Sequence, residues 1–400
     1  MKILRIISST NPINGGPING LLNSSAELVA RGHEVTVLSL DDPFDRHVAS
    51  FPFRLITYKS SLGALKYSSQ LKLWLQENVT NFDVVVIHGI WQYHSYAAAK
   101  ACIKHNVPYV LFTHGMLDPW FTENNLLGRL KKTLYWKLFE RHSINNAAQV
   151  LFTSKEELRL AREPFSPYSP NEKVVAYGSP VPLVNEEKAK KVFFDSFPHL
   201  NNKPFILFLS RIHEKKGIDL LIEAMGELND KYPQMQLAIA GPDHNKLQPQ
   251  LQDRATSLNI QKRISWLGML DADIKWGAFY ACEAFVLPSH QENFGIVVSE
   301  ALSTGTPVLI TNKVNIWTEV VDAKAGFADA DSVSGVRSTL NSWWSLDSDN
   351  KLEMKQNALN CYKQNFSMKA AVDDLERVLI STAELATQNE PKCIHSAEHN

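Results

Sequence analysis

The chain runs to 400 residues but has only four cysteines, Cys102, Cys282, Cys361 and Cys393, with no paired spacing among them. A disulfide framework or a zinc cluster needs paired spacings, so these read as free thiols in a reducing compartment. Neither sign of charge dominates: 41 basic residues against 42 acidic ones leave a net charge of −1. No Lys/Arg block overturns that balance, so nucleic acid is not an expected partner. No uncharged apolar run is long enough to span a bilayer. The opening Met1–Ser8 is apolar but interrupted by Arg5, and it is too short for a signal-peptide core. A soluble, cytoplasmic protein is expected, with association at the inner face of the membrane left open.

What is present is alternation. Short apolar runs at Lys2–Ser8, Val35–Leu40, Arg54–Tyr58, Val84–His88, Tyr109–Thr113 and Val150–Thr153 are separated by helical stretches such as Tyr93–Asn106. This pattern is that of an α/β doubly wound sheet. A second series starts with Phe205–Ser210 and continues through Gln236–Ala240, Ile264–Leu267, Phe285–Leu287 and Val308–Ile310. Two Rossmann-like domains are expected, residues 1–183 and 184–370, with Gly178–Leu183 and the charged Glu186–Lys191 as linker. A final helix, 371–387, and a disordered tail, 388–400, complete the chain.

The stretch from Phe285 to Ile310 organises the second half. Strand, loop, helix and strand follow one another, and the helix opens at Gly295. Free N–H groups at Gly295 and Ile296, with the positive end of a helix behind them, make a phosphate site. Glu292 and Glu300 bracket it, with seven residues between. Carboxylates accept hydrogen bonds from sugar hydroxyls, so an anion site flanked by two of them suits a nucleotide-sugar. Upstream, Arg211 and Lys216 are five apart; on a helix they would diverge by about 140°. On a loop they converge on one anion, where two cations can take the place of a metal at a leaving diphosphate.

Glu292 to Glu300 resembles the double-glutamate motif of the retaining family-4 glycosyltransferases of the GT-B fold, two Rossmann-like domains facing a cleft. The resemblance implies that Glu292, Asn293 and the Phe294-Gly295 backbone hold the donor sugar and that Ile296 lies at the phosphate. It also implies that Glu300 holds the ribose and that Arg211 and Lys216 hold the diphosphate. The edge from Leu267 through Met269 to Leu270 resembles the family's base-binding backbone. Gly16, in the turn Asn14-Gly15-Gly16-Pro17, matches a glycine loop that closes on the donor. His114, in Thr113-His114-Gly115, matches a histidine near the transferred sugar.

The resemblance further implies retention of configuration, with the diphosphate itself taking the acceptor's proton. A hexose, first UDP-glucose, would go to a saccharide or lipid-linked saccharide in polysaccharide assembly. His88, which also precedes a glycine at a strand end, and Trp120 are candidates for holding the acceptor. No metal or other cofactor is expected, because Asp271-Ala-Asp273 precedes a helical stretch and reads as an N-terminal cap. Two segments depart from the family pattern. Asn315–Glu319 lacks the glycines usual before its glutamate, leaving Glu319 without a role, and Ala176–Pro180 replaces the usual linker turn.

Leu126–His142 pairs Arg129, Lys131, Lys132, Lys137 and Arg141 with Leu130, Leu134, Trp136, Leu138 and Phe139. A helix packed on the core with a solvated basic face is the expectation, and contact with anionic headgroups is the sharper alternative. Three competing functions stand beside the transferase. A glycosidase is weakened because Glu292 and Glu300, were both helical, would be about 12 Å apart along the axis, beyond the roughly 5–9.5 Å such enzymes use. A nucleotide-sugar epimerase and an inactive sugar-binding scaffold share the architecture. Donor turnover with and without acceptor separates them.

Overall fold

The computed structural model describes residues 1–61, 63–120, 126–179 and 181–388. The tail expected to be disordered lies, from residue 389, outside the described residues, as does Cys393. The other three cysteines are buried free thiols. The chain forms two compact units. The first comprises Met1–Thr153, Glu157–Val175 and the chain from Val372, and the second comprises Ala176–Ala371 together with Ser154–Glu156.

The first unit holds a seven-stranded parallel sheet in the order β3-β2-β1-β4-β5-β6-β7. Its strands are β1 (Lys2–Ile7), β2 (Glu34–Ser39), β3 (Arg54–Thr57), β4 (Val84–His88), β5 (Tyr109–Phe112), β6 (Gln149–Phe152) and β7 (Glu172–Val174). The last of these carries no apolar run and was not legible as a strand. The second unit holds a six-stranded sheet in the order β10-β9-β8-β11-β12-β13. Its strands are β8 (Phe205–Leu209), β9 (Gln236–Ala240), β10 (Ile264–Gly268), β11 (Ala284–Leu287), β12 (Val308–Thr311) and β13 (Gly326–Asp329). Every strand pair is parallel. Near-continuous Val/Ile/Leu runs such as Val84–Ile87 are fully buried because helices cover both faces of such sheets. In each unit the strand order reverses once, between β1 and β4 and between β8 and β11. Ligands of open α/β sheets bind outside the carboxyl ends at that point.

Two expectations need correction. The charged stretch Glu186–Lys191 is not a linker: it is the first half of a helix, Glu186–Ser196, capped by the Asn185 side chain. Its neighbour is the helix Ala272–Ala281, where a Cβ at Gly277 would overlap the Ala189 carbonyl. The segment Leu126–His142 is also not one regular helix on the core. An α-helix, Leu126–Tyr135, passes through a π-helical turn, Trp136–Glu140, into a short helix, Arg141–Asn145. The turn drives Trp136 and Glu140 fully inside while Leu130, Leu134 and Leu138 stay 66%, 60% and 60% exposed. The last helix, Met368–Gln388, joins the first unit from Val372, where Glu376 meets Arg31 and His33, each at 2.7 Å.

After β1, Gly15 takes a positive φ, +77°, and Gly16 is the first residue of the helix Gly16–Ala30.

The buried Glu140 gives the fold a pH signature. Its Oε1 accepts from the Trp91 N–H at 2.8 Å and the Ser95 hydroxyl at 3.2 Å, and burial pushes its carboxyl up to about 7. The folded chain keeps a proton that the unfolded chain, with an ordinary value of 4.5, gives up. Stability relative to a Glu140→Gln variant is therefore expected to fall as pH rises between those two values. Thermal melts of both chains across that range check this.

Candidate active site

In the second unit the site is built where β8 and β11 end. After β8 the chain leaves the sheet at Ser210 and Arg211, and Arg211 is exposed there. A single 3-10 turn, Glu214–Lys216, follows, with the His213 ring accepting from the Lys215 N–H at 3.1 Å. Gly217 ends the turn at φ +65°, and a Cβ there would overlap the Pro288 carbonyl. Only glycine lets the two loops approach so closely.

The β11 loop is pinned at Glu292. Its N–H donates to Lys313 at 2.9 Å and its carbonyl accepts from Asn315 at 3.0 Å. The Glu292 carboxylate forms an ion pair with the Lys216 ammonium. Lys215 reinforces the contact by donating to Gln291 at 3.1 Å and accepting from the His290 N–H at 2.9 Å.

Gly295, at φ +71°, is the N-cap of the helix Ile296–Ser303, and no side chain caps it. The first N–H groups of that helix lack intrahelical partners, and they carry the positive end of its dipole. Phe294 is buried, edge-on to Tyr177 and Phe366 at 5.0 and 5.6 Å, so the residues around it contribute mainly backbone. Asn293 accepts from Asn315 at 3.4 Å. Ser179 braces the helix from behind: it receives the Ser299 hydroxyl at 2.8 Å, and its carbonyl accepts from Tyr362 at 2.6 Å.

Glu300 is not brought to Lys216. It is 8% exposed and pairs with Lys275 at 2.9 Å, whose ammonium also lies 4.5 Å from the Trp276 ring centre. Sequence reasoning missed Lys275. Leu267 points into the core while Met269 is 80% exposed, so only the backbone of that edge is fixed. Asp271 occupies the N-cap position of Ala272–Ala281, but its side chain makes no capping bond, which corrects that expectation; Asp273 sits in the first turn. Glu319 accepts from Thr318 at 2.8 Å.

In the first unit the site elements lie at the ends of β1, β4 and β5. Gly16 opens the helix after β1. His88 and His114 are brought together: Nδ1 of His88 is 3.0 Å from Nε2 of His114. His114 stands at φ +50° and Trp91, just past His88, at φ +70°. Positive φ is rare for such residues, and strain of this kind collects at functional sites. Two buried carboxylates hold these backbones in place. Glu140 takes the Trp91 N–H, and Glu157 takes Gly115 N–H, Thr113 Oγ1 and both donors of Thr153 at 2.6–2.8 Å. Trp120 is half-buried, with its N–H on Asp118 at 2.9 Å.

Sequence reasoning also missed Arg5, which faces His88. An arginine in the middle of an apolar strand was the available signal, since buried charges need partners. Among the described residues, one group could offer three metal ligands, Asp41, Asp45 and His47, after β2. Asp41 is already engaged by Ser9, Thr10 and Ser39, and Asp271 and Asp273 are not part of that group.

Two Rossmann-like units, one with cations, acids and a helix tip at its switch point, define a glycosyltransferase that uses sugar-nucleotide donors. Residues 189–358 match the family model for glycosyl transferases group 1, and residues 15–178 match the glycosyl transferase 4-like domain. The chain belongs to the family-4 glycosyltransferases of the GT-B fold. It is 28% identical over 305 residues to an uncharacterized glycosyltransferase of Methanocaldococcus jannaschii, an alignment covering 71% of this chain and 73% of that one. It is 30% identical over 178 residues to the D-inositol 3-phosphate glycosyltransferase of Corynebacterium jeikeium, covering 43% and 42% of the two chains. HepE of Anabaena, solved with UDP and glucose, superposes with a TM-score of 0.73 at 19% identity, over 95% of this chain and 100% of that one. A glycosyltransferase of Rickettsia africae gives 0.76 at 18%, over 97% and 99%. At these identities the two structures bear on the fold alone.

Proposed function

We propose that the chain transfers a hexose from a nucleoside diphosphate sugar, UDP-glucose in the first instance, to a hydroxyl of a growing saccharide with retention of configuration. The observation that carries this is the Lys216–Glu292 pair beside the open N-terminus of Ile296–Ser303. A diphosphate arriving at that helix tip competes for Lys216, and the released Glu292 can accept from sugar hydroxyls. Arg211, exposed on the preceding loop, adds a planar fork to the anion. Glu300, oriented by Lys275, takes the ribose hydroxyls, and the Leu267–Met269 backbone takes the base.

The two cations supply the charge that a metal would otherwise bring to the leaving group, so turnover is expected to be unchanged by EDTA. The diphosphate oxygen takes the acceptor's proton on the face it leaves. His114 and Trp120 hold the saccharide, whereas His88, buried with both ring nitrogens engaged by Arg5 and His114, supports His114 from behind and is not the acceptor contact expected from the sequence. UDP and glucose bound to HepE suit this donor choice.

A panel of nucleotide-sugars in thermal melts is the direct test. A true donor at a hundredfold excess over its dissociation constant should stabilise the chain by about 2.7 kcal/mol. Failure of every UDP-sugar in the panel rejects the donor assignment.

The acceptor is proposed to be lipid-linked, met at an anionic membrane surface. Leu130, Leu134 and Leu138 form an exposed apolar line, and the exposed Arg129, Lys131, Lys137 and Arg141 flank it. Apolar insertion plus cationic flanks is the composition of a surface-lying helix. No helix among the described residues is long and apolar enough to cross a membrane. Sedimentation with phosphatidylglycerol vesicles should carry the protein down, and Leu134→Glu with Leu138→Glu should leave it in solution. Equal sedimentation of both chains would reject the surface.

A further inference from the structure

The loop after β4 is held in an unfavourable shape. Trp91 stands at φ +70°, and a bulky residue takes that region only when its surroundings impose it. Two bonds fix it there. The Trp91 backbone N–H donates to Oε1 of Glu140 at 2.8 Å, and its indole N–H donates to the Met116 carbonyl at 2.9 Å. Met116 belongs to the loop after β5, and its Sδ also receives the Ile90 N–H at 3.3 Å. Trp91 therefore ties both loops to one buried carboxyl. β4 flanks the point where the strand order reverses, so these loops border the place where a ligand of this sheet binds.

The π-helical turn Trp136–Glu140 brings that carboxyl inside, at 0% exposure. Its surroundings suit an acid that keeps its proton. The Trp91 N–H is a full donor to it. The Ser95 hydroxyl, 3.2 Å away, has one proton and lies nearer the Gln92 carbonyl, at 2.8 Å. Oε2 is buried and has no hydrogen-bond partner among the described residues. The titratable groups that face Glu140 are phenols, Tyr109 on β5 and Tyr135 on the helix Leu126–Tyr135, both raised by burial first; Tyr96, on the helix Tyr93–His105, faces Tyr135 in turn. Lys132 lies over the Trp91 ring, 5.5 Å from its centre, and Lys137 and Arg141 are exposed. With no cation to offset the burial, the Glu140 carboxyl is pushed up to about 7.

We infer that Glu140 is a positioning residue that works as the neutral acid: through Trp91 it holds the loops after β4 and β5 in the shape the acceptor needs, and loss of its proton releases them. Once ionised, Oε2 needs donors that the buried site does not offer, and opening the turn to water supplies them. The hold on the two loops stands on the hydrogen bonds above, whereas the acceptor as their occupant rests on the function proposed above.

The test uses the full chain labelled with nitrogen-15 on tryptophan, with the Trp91 indole signal assigned through Trp91→Phe. In the unaltered chain that signal should shift with a single titration near pH 7, and in Glu140→Gln, which keeps a carbonyl for the Trp91 N–H and never ionises, it should not. UDP release from UDP-glucose with a lipid-linked saccharide extract is followed beside it. The unaltered chain should lose about tenfold in rate per pH unit above 7, because only the protonated fraction is competent, and Glu140→Gln should lack that limb. An indole signal that does not titrate in the unaltered chain overturns the proposal, as does the same alkaline limb in both chains. If Glu140→Gln does not fold, the unaltered chain and Trp91→Phe decide. Trp91→Phe severs the bond to Met116 and should be slower than the unaltered chain at pH 6, and an equal rate there overturns the link. Absence of turnover in every chain, with an indole signal that follows Glu140, counts against the transferase function and leaves the hold on the loops in place.

Discussion

Replacing Lys216 by Met is expected to lower kcat by about 100- to 1000-fold while leaving the fold intact, the scale seen when one preorganised charge at a developing anion is removed. The reasoning runs from the loop. Gly217 allows the Glu214–Lys216 turn to sit against Pro288, which puts the ammonium on the Glu292 carboxylate. Without that cation the diphosphate loses a counter-charge that grows in value as the glycosidic bond breaks, so the loss should fall on kcat more than on KM. Steady-state kinetics beside circular dichroism check this. A kcat within a factor of about three of the unaltered chain would contradict the diphosphate role, given the size of effect such donors have. Arg211→Met should weaken donor binding more than it slows turnover, because an exposed guanidinium grips substrate and product diphosphate alike.

The largest stability effect is expected at Trp136. It is fully buried, stacked on Phe165 at 5.1 Å and 19°, with Trp91 and Tyr168 alongside at 6.5 and 6.2 Å. Trp136→Ala removes that volume and should cost about 3–5 kcal/mol. Thermal unfolding of the first unit should shift down by roughly 6–20 °C at this size. Leu134→Ser, two residues away on the exposed line, should stay within about 0.5 kcal/mol. If both substitutions cost the same, the inward and outward faces of this segment are not as described.

Most strands of both sheets were legible because they are buried and announce themselves as apolar runs, as at Val84–Ile87 and Phe205–Leu209, whereas the half-buried β13, Gly326-Phe327-Ala328-Asp329, has no such run and was missed. β7 was not legible either, since Glu172-Lys173-Val174 pairs at the sheet edge and needs no apolar face. The loop after β11 was legible because glycine, helix start and paired glutamates lie within one short stretch. Its cross-links were not: Lys275 meets Glu300 from 25 positions away, and Glu292 depends on Lys313 and Asn315, contacts that exist only after folding. Arg5 was overlooked for a related reason. In sequence it merely interrupts an apolar run, and its purpose appears when His88, 83 positions on, arrives beside it. The basic segment misled because helical periodicity gives one apolar face, whereas the π turn at Trp136–Glu140 divides the apolar residues between inside and outside.

Because every strand in each sheet points the same way, within each unit taken by itself the loops that follow the strands gather at one rim, and the turns that return from helices to strands gather at the other. Asn106, Asn259 and Lys324, left-handed at φ +55°, +56° and +51°, punctuate those return turns ahead of β5, β10 and β13. Dyes, tethers or affinity tags attached at that far rim should report on the molecule without disturbing its substrates. Libraries meant to change sugar preference belong instead in the segments that follow β1, β4, β5, β8 and β11.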